Sequence, residues 1–199
     1  MKALKQRKPV KMYGDRVLVT VPKMTMRTLH KLASQRSSTK FDGTNKQVDQ
    51  ALSNVEAHYV GLKGEWAVAS YLHLDMDTSM SYSGDDGYDL EMRGVTIDVK
   101  MSVQDLKVNK PGPTADILFL VQPLSPFTIP DPRYKDLCER DPYVGKADLS
   151  WRNVVIVGWI TSVEFMNEYE LMNFGYGERL VMKQHKLHRP SLLFVNLHK

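Results

Sequence analysis

From Tyr88 to Met101 apolar and polar residues take turns one by one, the period of a strand with one covered face. Tyr88, Leu90 and Met92 alternate with Asp89, Glu91 and Arg93; Val95, Ile97, Val99 and Met101 alternate with Thr96, Asp98, Lys100 and Ser102. Arg93-Gly94 has the length and the glycine of a two-residue hairpin turn. Such a turn pairs 92 with 95, 91 with 96 and, in an even register, Asp89 with Asp98. Over Asn45 to Leu72 the period changes. Val48, Leu52, Val55, Tyr59, Leu62, Trp66 and Ala69 recur every three or four positions, which predicts one long helix, with Thr44 and Gln47 at capping-box spacing. Its second, adjoining face carries Ala57, Gly61, Glu65, Val68 and Leu72, with Gly64 beside them and Lys63 on the solvated side.

Two unbroken apolar runs, Asp116 to Gln122 and Val154 to Thr161, read as strands covered on both faces. Asp15 to Val21 is a short β-branched strand stopped by Pro22, and Met24 to Arg36 a helix that buries Met26, Leu29, Leu32 and Ala33. Residues 37 to 43 read as a linker, 163 to 173 as a short helix and Ser191 to Leu197 as a last strand. Pro123, Pro126, Pro130, Pro132 and Pro142 mark residues 123 to 150 as a long insertion, with one helical turn near Tyr134 to Arg140. The expected fold is α/β: a mixed central sheet with flanking helices over residues 44 to 199, preceded by a basic arm and a strand–helix extension over 1 to 43.

The hairpin has a chemical consequence. Side chains two apart on a strand share a face, so Asp98 and Lys100 point the same way. Asp89 directly opposite Asp98 would put two Cβ atoms about 5 Å apart, where like charges repel. Two carboxylates held together beside a lysine point to a divalent cation. Glu65, on the close-packed side of the long helix, is placed to reach the same spot. Acid-x-Lys recurs at Asp105-Leu106-Lys107, but that copy has no opposing acid and precedes the loop signal Asn109-Lys110-Pro111-Gly112-Pro113. Neither Asp105 nor Lys107 is expected to matter for the chemistry.

Asp89 followed by Asp98-Val99-Lys100 on a hairpin, with a helix before it, resembles the catalytic hairpin of the PD-(D/E)xK nuclease superfamily over about residues 45 to 121. Tyr88 stands where the family name has proline. The resemblance implies a restriction-endonuclease-like core and a metal-dependent nuclease that hydrolyses DNA phosphodiester bonds, an endonuclease. It implies that Asp89, Asp98 and the Val99 carbonyl hold Mg²⁺, for which Mn²⁺ can substitute. Glu65 would bind a second ion or orient a metal water, and Lys100 would position the attacking water. The alternative is a DNA-binding or assembly protein that keeps this fold without cutting. Intact Asp89, Asp98 and Lys100 argue against it.

Composition narrows the setting. The 199 residues carry 42% hydrophobic and 25% charged residues, ordinary for a globular domain. A single cysteine, Cys138, excludes an internal disulfide and fits a reducing compartment. With no apolar leader in the first residues and no membrane-length segment, a cytoplasm is expected, of the encoding cell or of a host. The net charge of +4 is unevenly spread: residues 1 to 40 hold eleven Lys and Arg against Asp15 alone. A basic end of this kind suits a polyanion, so DNA is the expected partner; a homodimer is allowed and a membrane is not. His185 and His188 lack the companions of a zinc site, and Cys138 lacks a base.

Overall fold

The computed structural model describes residues 10–39, 52–76, 87–125, 132–146, 148–175 and 177–193. The architecture is mixed α/β, with a six-stranded sheet, a three-stranded sheet and three α-helices among the described residues. Strands β1 (Val10–Tyr13) and β2 (Arg16–Val19) form a hairpin at one edge of the large sheet. Next come β7 (Val154–Thr161), β6 (Ile117–Pro123), β4 (Val95–Met101) and, at the far edge, β3 (Leu90–Met92). All neighbours are antiparallel except β4 and β6, which run parallel. Residues 10 to 39 thus join the same sheet and core, since β2 pairs with β7 and α1 (Lys23–Thr39) packs on α2 (Asn54–Leu72).

The apolar runs behave as their composition requires. Every residue of β6 is buried, and only Thr161 of β7 is not. Met26, Leu29, Leu32 and Ala33 are all buried on α1, as their spacing predicts. One face of the sheet, with Ile97, Val99, Phe119, Val121 and Ile156, packs against Tyr59, Leu62, Trp66 and Ala69 of α2 and the buried face of α1. No helix among the described residues is long and apolar enough to cross a membrane.

Several boundaries differ from the sequence expectation. α2 begins at Asn54 rather than Asn45; Thr44 and Gln47 lie outside the described residues, and Leu52 and Ser53 precede the helix. The reason is a second capping box: Ser53 N–H donates to Glu56 at 2.8 Å and Glu56 N–H returns a bond to Ser53 Oγ at 3.3 Å. α1 continues to Thr39, through the first part of the expected linker. The helix expected over 163 to 173 is α3 (Ser162–Glu168), after which the chain turns into strand β8 (Glu170–Asn173). Ser191 and Leu192, the start of the expected last strand, lie instead in a 3₁₀ turn (Pro190–Leu192); 194 to 199 lie outside the described residues.

The small sheet, order β5 (Leu106–Val108), β9 (Glu178–Met182), β8, places the site. Leu106, Val108, Leu180 and Met182 pack with Phe165 of α3 onto Leu118, Leu120, Val157 and Ile160, on the face of the large sheet away from α2. On β4 the register partners of Leu118 and Leu120 are Asp98 and Lys100. The apolar seam between the two sheets therefore gives way, at β4, to a carboxylate and an ammonium.

Candidate functional site

The hairpin turn is the one the sequence predicts. Arg93 and Gly94 have φ of 55° and 81°, both positive as a two-residue type I′ turn requires, and 92 pairs with 95 and 91 with 96. The regular ladder ends one residue before the pair of interest, at Leu90 and Ile97. Asp89 breaks the even register: its own N–H donates to the Ile97 carbonyl at 2.8 Å. Its carboxylate then accepts the Val99 N–H at 2.6 Å, replacing the backbone partner that β4 lacks once β3 has ended. Asp89 and Asp98 stay neighbours nonetheless, close enough for the Asp98 charge to act on the Asp89 carboxyl.

Burial among like charges disfavours the ionised form of an acid. Burial pushes the Asp89 carboxyl up to about 8, helped by the negative charges of Glu65 and Asp98 and opposed by the Val99 N–H. Asp98 is buried and is met on its other side by Lys100, whose Nζ donates to Oδ1 at 2.6 Å. Glu65, from α2, is mostly shielded (side chain 13% exposed) and has Arg36 of α1 at 3.9 Å. Asp89, Asp98, Lys100 and Glu65 thus form one electrostatic group drawn from three elements: the β3 end, β4 and α2. Gly64, next to Glu65, faces Val99 and Met101, but a Cβ there would lie 3.5 Å from Val99 Cγ1, ordinary contact. Close packing alone therefore does not require that glycine.

Asp89, Asp98 and Lys100 line an open cleft of about 370 Å³. Gly87 and Tyr88 continue the same wall; the facing one is β5 and the loop behind it, from Lys107 to Thr114. Thr114 Oγ1 donates to the Gly87 carbonyl at 2.6 Å and ties the two walls together at one end. The second acid-x-Lys copy is divided by its strand. Asp105 turns toward Gln184 N–H at 3.1 Å and Lys183 at 3.4 Å and does not line the cleft. Lys107 differs from expectation: it stands in the cleft wall, because Leu106–Val108 is a strand whose flanking residues Leu106 and Val108 face the core.

One buried charge went unread in the sequence. Lys63, expected on a solvated side of the long helix, is fully buried and bonds Asp141 at 2.8 Å and the Trp151 carbonyl at 2.8 Å. Tyr59 OH donates to the same Asp141 oxygen at 2.8 Å. Burial holds the Lys63 ammonium below its ordinary range despite the attraction of Asp141. The pair fastens the proline-rich insertion onto α2, on the side of the molecule that backs the cleft's sheet. An aspartate in a loop gives no local signal of such a role, and α2's helical phase assigns Lys63 to solvent only if nothing covers it.

Among the described residues no three or more His, Cys, Asp and Glu side chains are gathered so as to hold a metal ion by themselves. The donors that the cleft offers, Asp89 and Asp98 with Glu65 behind, are all oxygens, the set a hard divalent cation takes. No family model matches this chain, and neither a curated protein nor a solved structure is significantly similar to it.

Proposed function

We propose that the protein is a Mg²⁺-dependent nuclease that hydrolyses DNA phosphodiester bonds, an endonuclease built on a PD-(D/E)xK, restriction-endonuclease-like core. One observation carries the reading: two neighbouring carboxyl groups, Asp89 and Asp98, line one wall of an open cleft beside Lys100. Asp98 has Lys100 as a partner, whereas the buried Asp89 carboxyl accepts the Val99 N–H and has no basic side chain in ion-pair contact among the described residues, which suits an acid that takes up a cation. Mg²⁺ is commonly held by one or two carboxylates, with waters and substrate phosphate completing its shell, so a pair of aspartates suffices as the protein's share. Mn²⁺ would substitute in the same oxygen set.

Asp89 and Asp98 would bind the cation, with the Val99 carbonyl, and Glu65 would take a second ion or orient a water. When bound, the metal would acidify water and stabilise the entering and leaving oxygens. Lys100 is 40% exposed at its side chain, so it can turn from Asp98 toward the cleft once the cation has taken that carboxylate. There it would orient the attacking water and offset charge on the phosphoryl oxygens. Asp89 would hold the cation as a carboxylate, so binding would release a proton that it carries.

The test is incubation of supercoiled and linear DNA with the purified chain in Mg²⁺, in Mn²⁺ and in EDTA. Nicked and linear products in both metals and none in EDTA support the reading. Intact DNA in all three, with DNA still bound, would replace it with the non-catalytic alternative.

A further inference from the structure

Three lysines line the cleft, and they are not equivalent. Lys100 donates to Asp98 at 2.6 Å, and Lys110 to Glu178 at 2.6 Å. Lys107, among the described residues, has no carboxylate within ion-pair distance; its Nζ lies 4.4 Å from the centroid of the Phe174 ring. A ring face attracts a cation without neutralising it, so the ammonium keeps its charge for an incoming anion. Its position is fixed from behind by β5: Leu106 and Val108 are buried in the seam between the sheets, and Lys107 alternates to the other side. The facing wall carries the acids, and Thr114 fastens the two walls at the Gly87 end.

We propose that Lys107 is a substrate-binding residue that holds a backbone phosphate neighbouring the one to be cut, so that the nucleic-acid strand crosses the cleft from the Asp89–Asp98 pair to β5. The inference rests on the nuclease reading and deepens it by giving the strand a second point of attachment. An acidic floor alone repels a polyanion; a fixed ammonium on the opposite wall supplies the missing attraction and sets the strand's path. Lys110, already paired with Glu178, contributes less.

The experiment is binding of a short labelled DNA duplex to the full chain with Ca²⁺ in place of Mg²⁺, followed over a salt series, for the wild type, Lys107→Ala, Lys107→Arg and Lys110→Ala. Lys107→Ala should weaken binding about three- to tenfold at low salt and lower the log–log salt slope by about 0.9, one phosphate contact. Lys107→Arg should restore both, and Lys110→Ala should have the smaller effect. In Mg²⁺, Lys107→Ala should raise KM by more than it lowers kcat, with an unchanged melting temperature. Wild-type affinity and slope in Lys107→Ala, with a wild type that binds and cuts DNA, overturn this inference alone. A wild type that neither binds nor cuts removes the nuclease reading and this inference with it.

Discussion

The Asp89 carboxylate accepts the backbone N–H of Val99 at 2.6 Å, across the gap where strand β3 has already ended. That bond holds the first acid of the hairpin beside the second, where burial and the neighbouring charges of Glu65 and Asp98 push its pKa up. The group has a direct pH signature. In the folded chain Asp89 keeps its proton up to about 8, whereas unfolded it titrates near an ordinary carboxyl's 3.8. Between those values the folded state binds more protons, so this residue makes stability fall as pH rises through the window. Without added metal, Asp89→Asn should be more stable than the wild type at pH 8, by at least about 1 kcal/mol, and indistinguishable near pH 4. Urea denaturation at both values checks it; an equal gap at the two pH values would mean that Asp89 does not hold the proton.

Binding of a cation to the same pair should release that proton. At pH 7 the calorimetric heat of Mg²⁺ or Ca²⁺ binding should depend on the ionisation heat of the buffer, with up to one proton released. Asp89→Asn should abolish the dependence. Buffer-independent heats in the wild type would show the cation binding elsewhere.

The Lys63–Asp141 pair makes a prediction of a different kind. Both groups are fully shielded at their side chains, so removing one strands the other. Asp141→Ala should destabilise the fold by about 3 to 5 kcal/mol, because the Lys63 ammonium and the Tyr59 hydroxyl both lose their acceptor. The double variant Lys63→Met with Asp141→Asn should fall short of the sum of the single losses, since no unpaired charge is left behind. Chemical denaturation reads both.

The basic arm, expected over residues 1 to 11, overlaps the first strand at its end. Val10 and Lys11 pair with Val19 and Leu18 in the first hairpin, so only residues 1 to 9 can be removed without cutting a strand. Deleting them removes Lys2, Lys5, Arg7 and Lys8. DNA binding should weaken, with the salt slope falling by as much as about 0.9 per lost contact. An unchanged slope would assign these residues to solubility or to a protein partner.

What the sequence disclosed follows from how local each signal is. The β3–β4 hairpin and its turn rest on contacts within a few residues, the apolar face of α1 on its own period, and the two buried strands on unbroken apolar runs, all local signals. The start of α2 differs from the expected one because Ser53–Glu56 has capping-box spacing as well as Thr44–Gln47, and spacing alone does not say where the helix starts. β5, β8 and β9 have three to five residues each, too few for alternation to stand out. That omission hid the second wall of the cleft and made Lys107 look idle. The burial of Lys63 depends on an aspartate 78 residues away, a distance no local pattern spans.

The most direct measurement compares the wild type, Asp98→Ala and Lys100→Ala for cation binding by calorimetry and for DNA cleavage under single-turnover conditions. Asp98→Ala removes a carboxylate from the pair, so binding and cleavage should be lost together. Lys100→Ala leaves both carboxylates and removes the 2.6 Å contact to Asp98, so the cation should bind at least as tightly while the cleavage rate falls at least about a hundredfold. Full cleavage by either variant, or unaltered cation binding by Asp98→Ala, would contradict a metal-dependent active site at this hairpin.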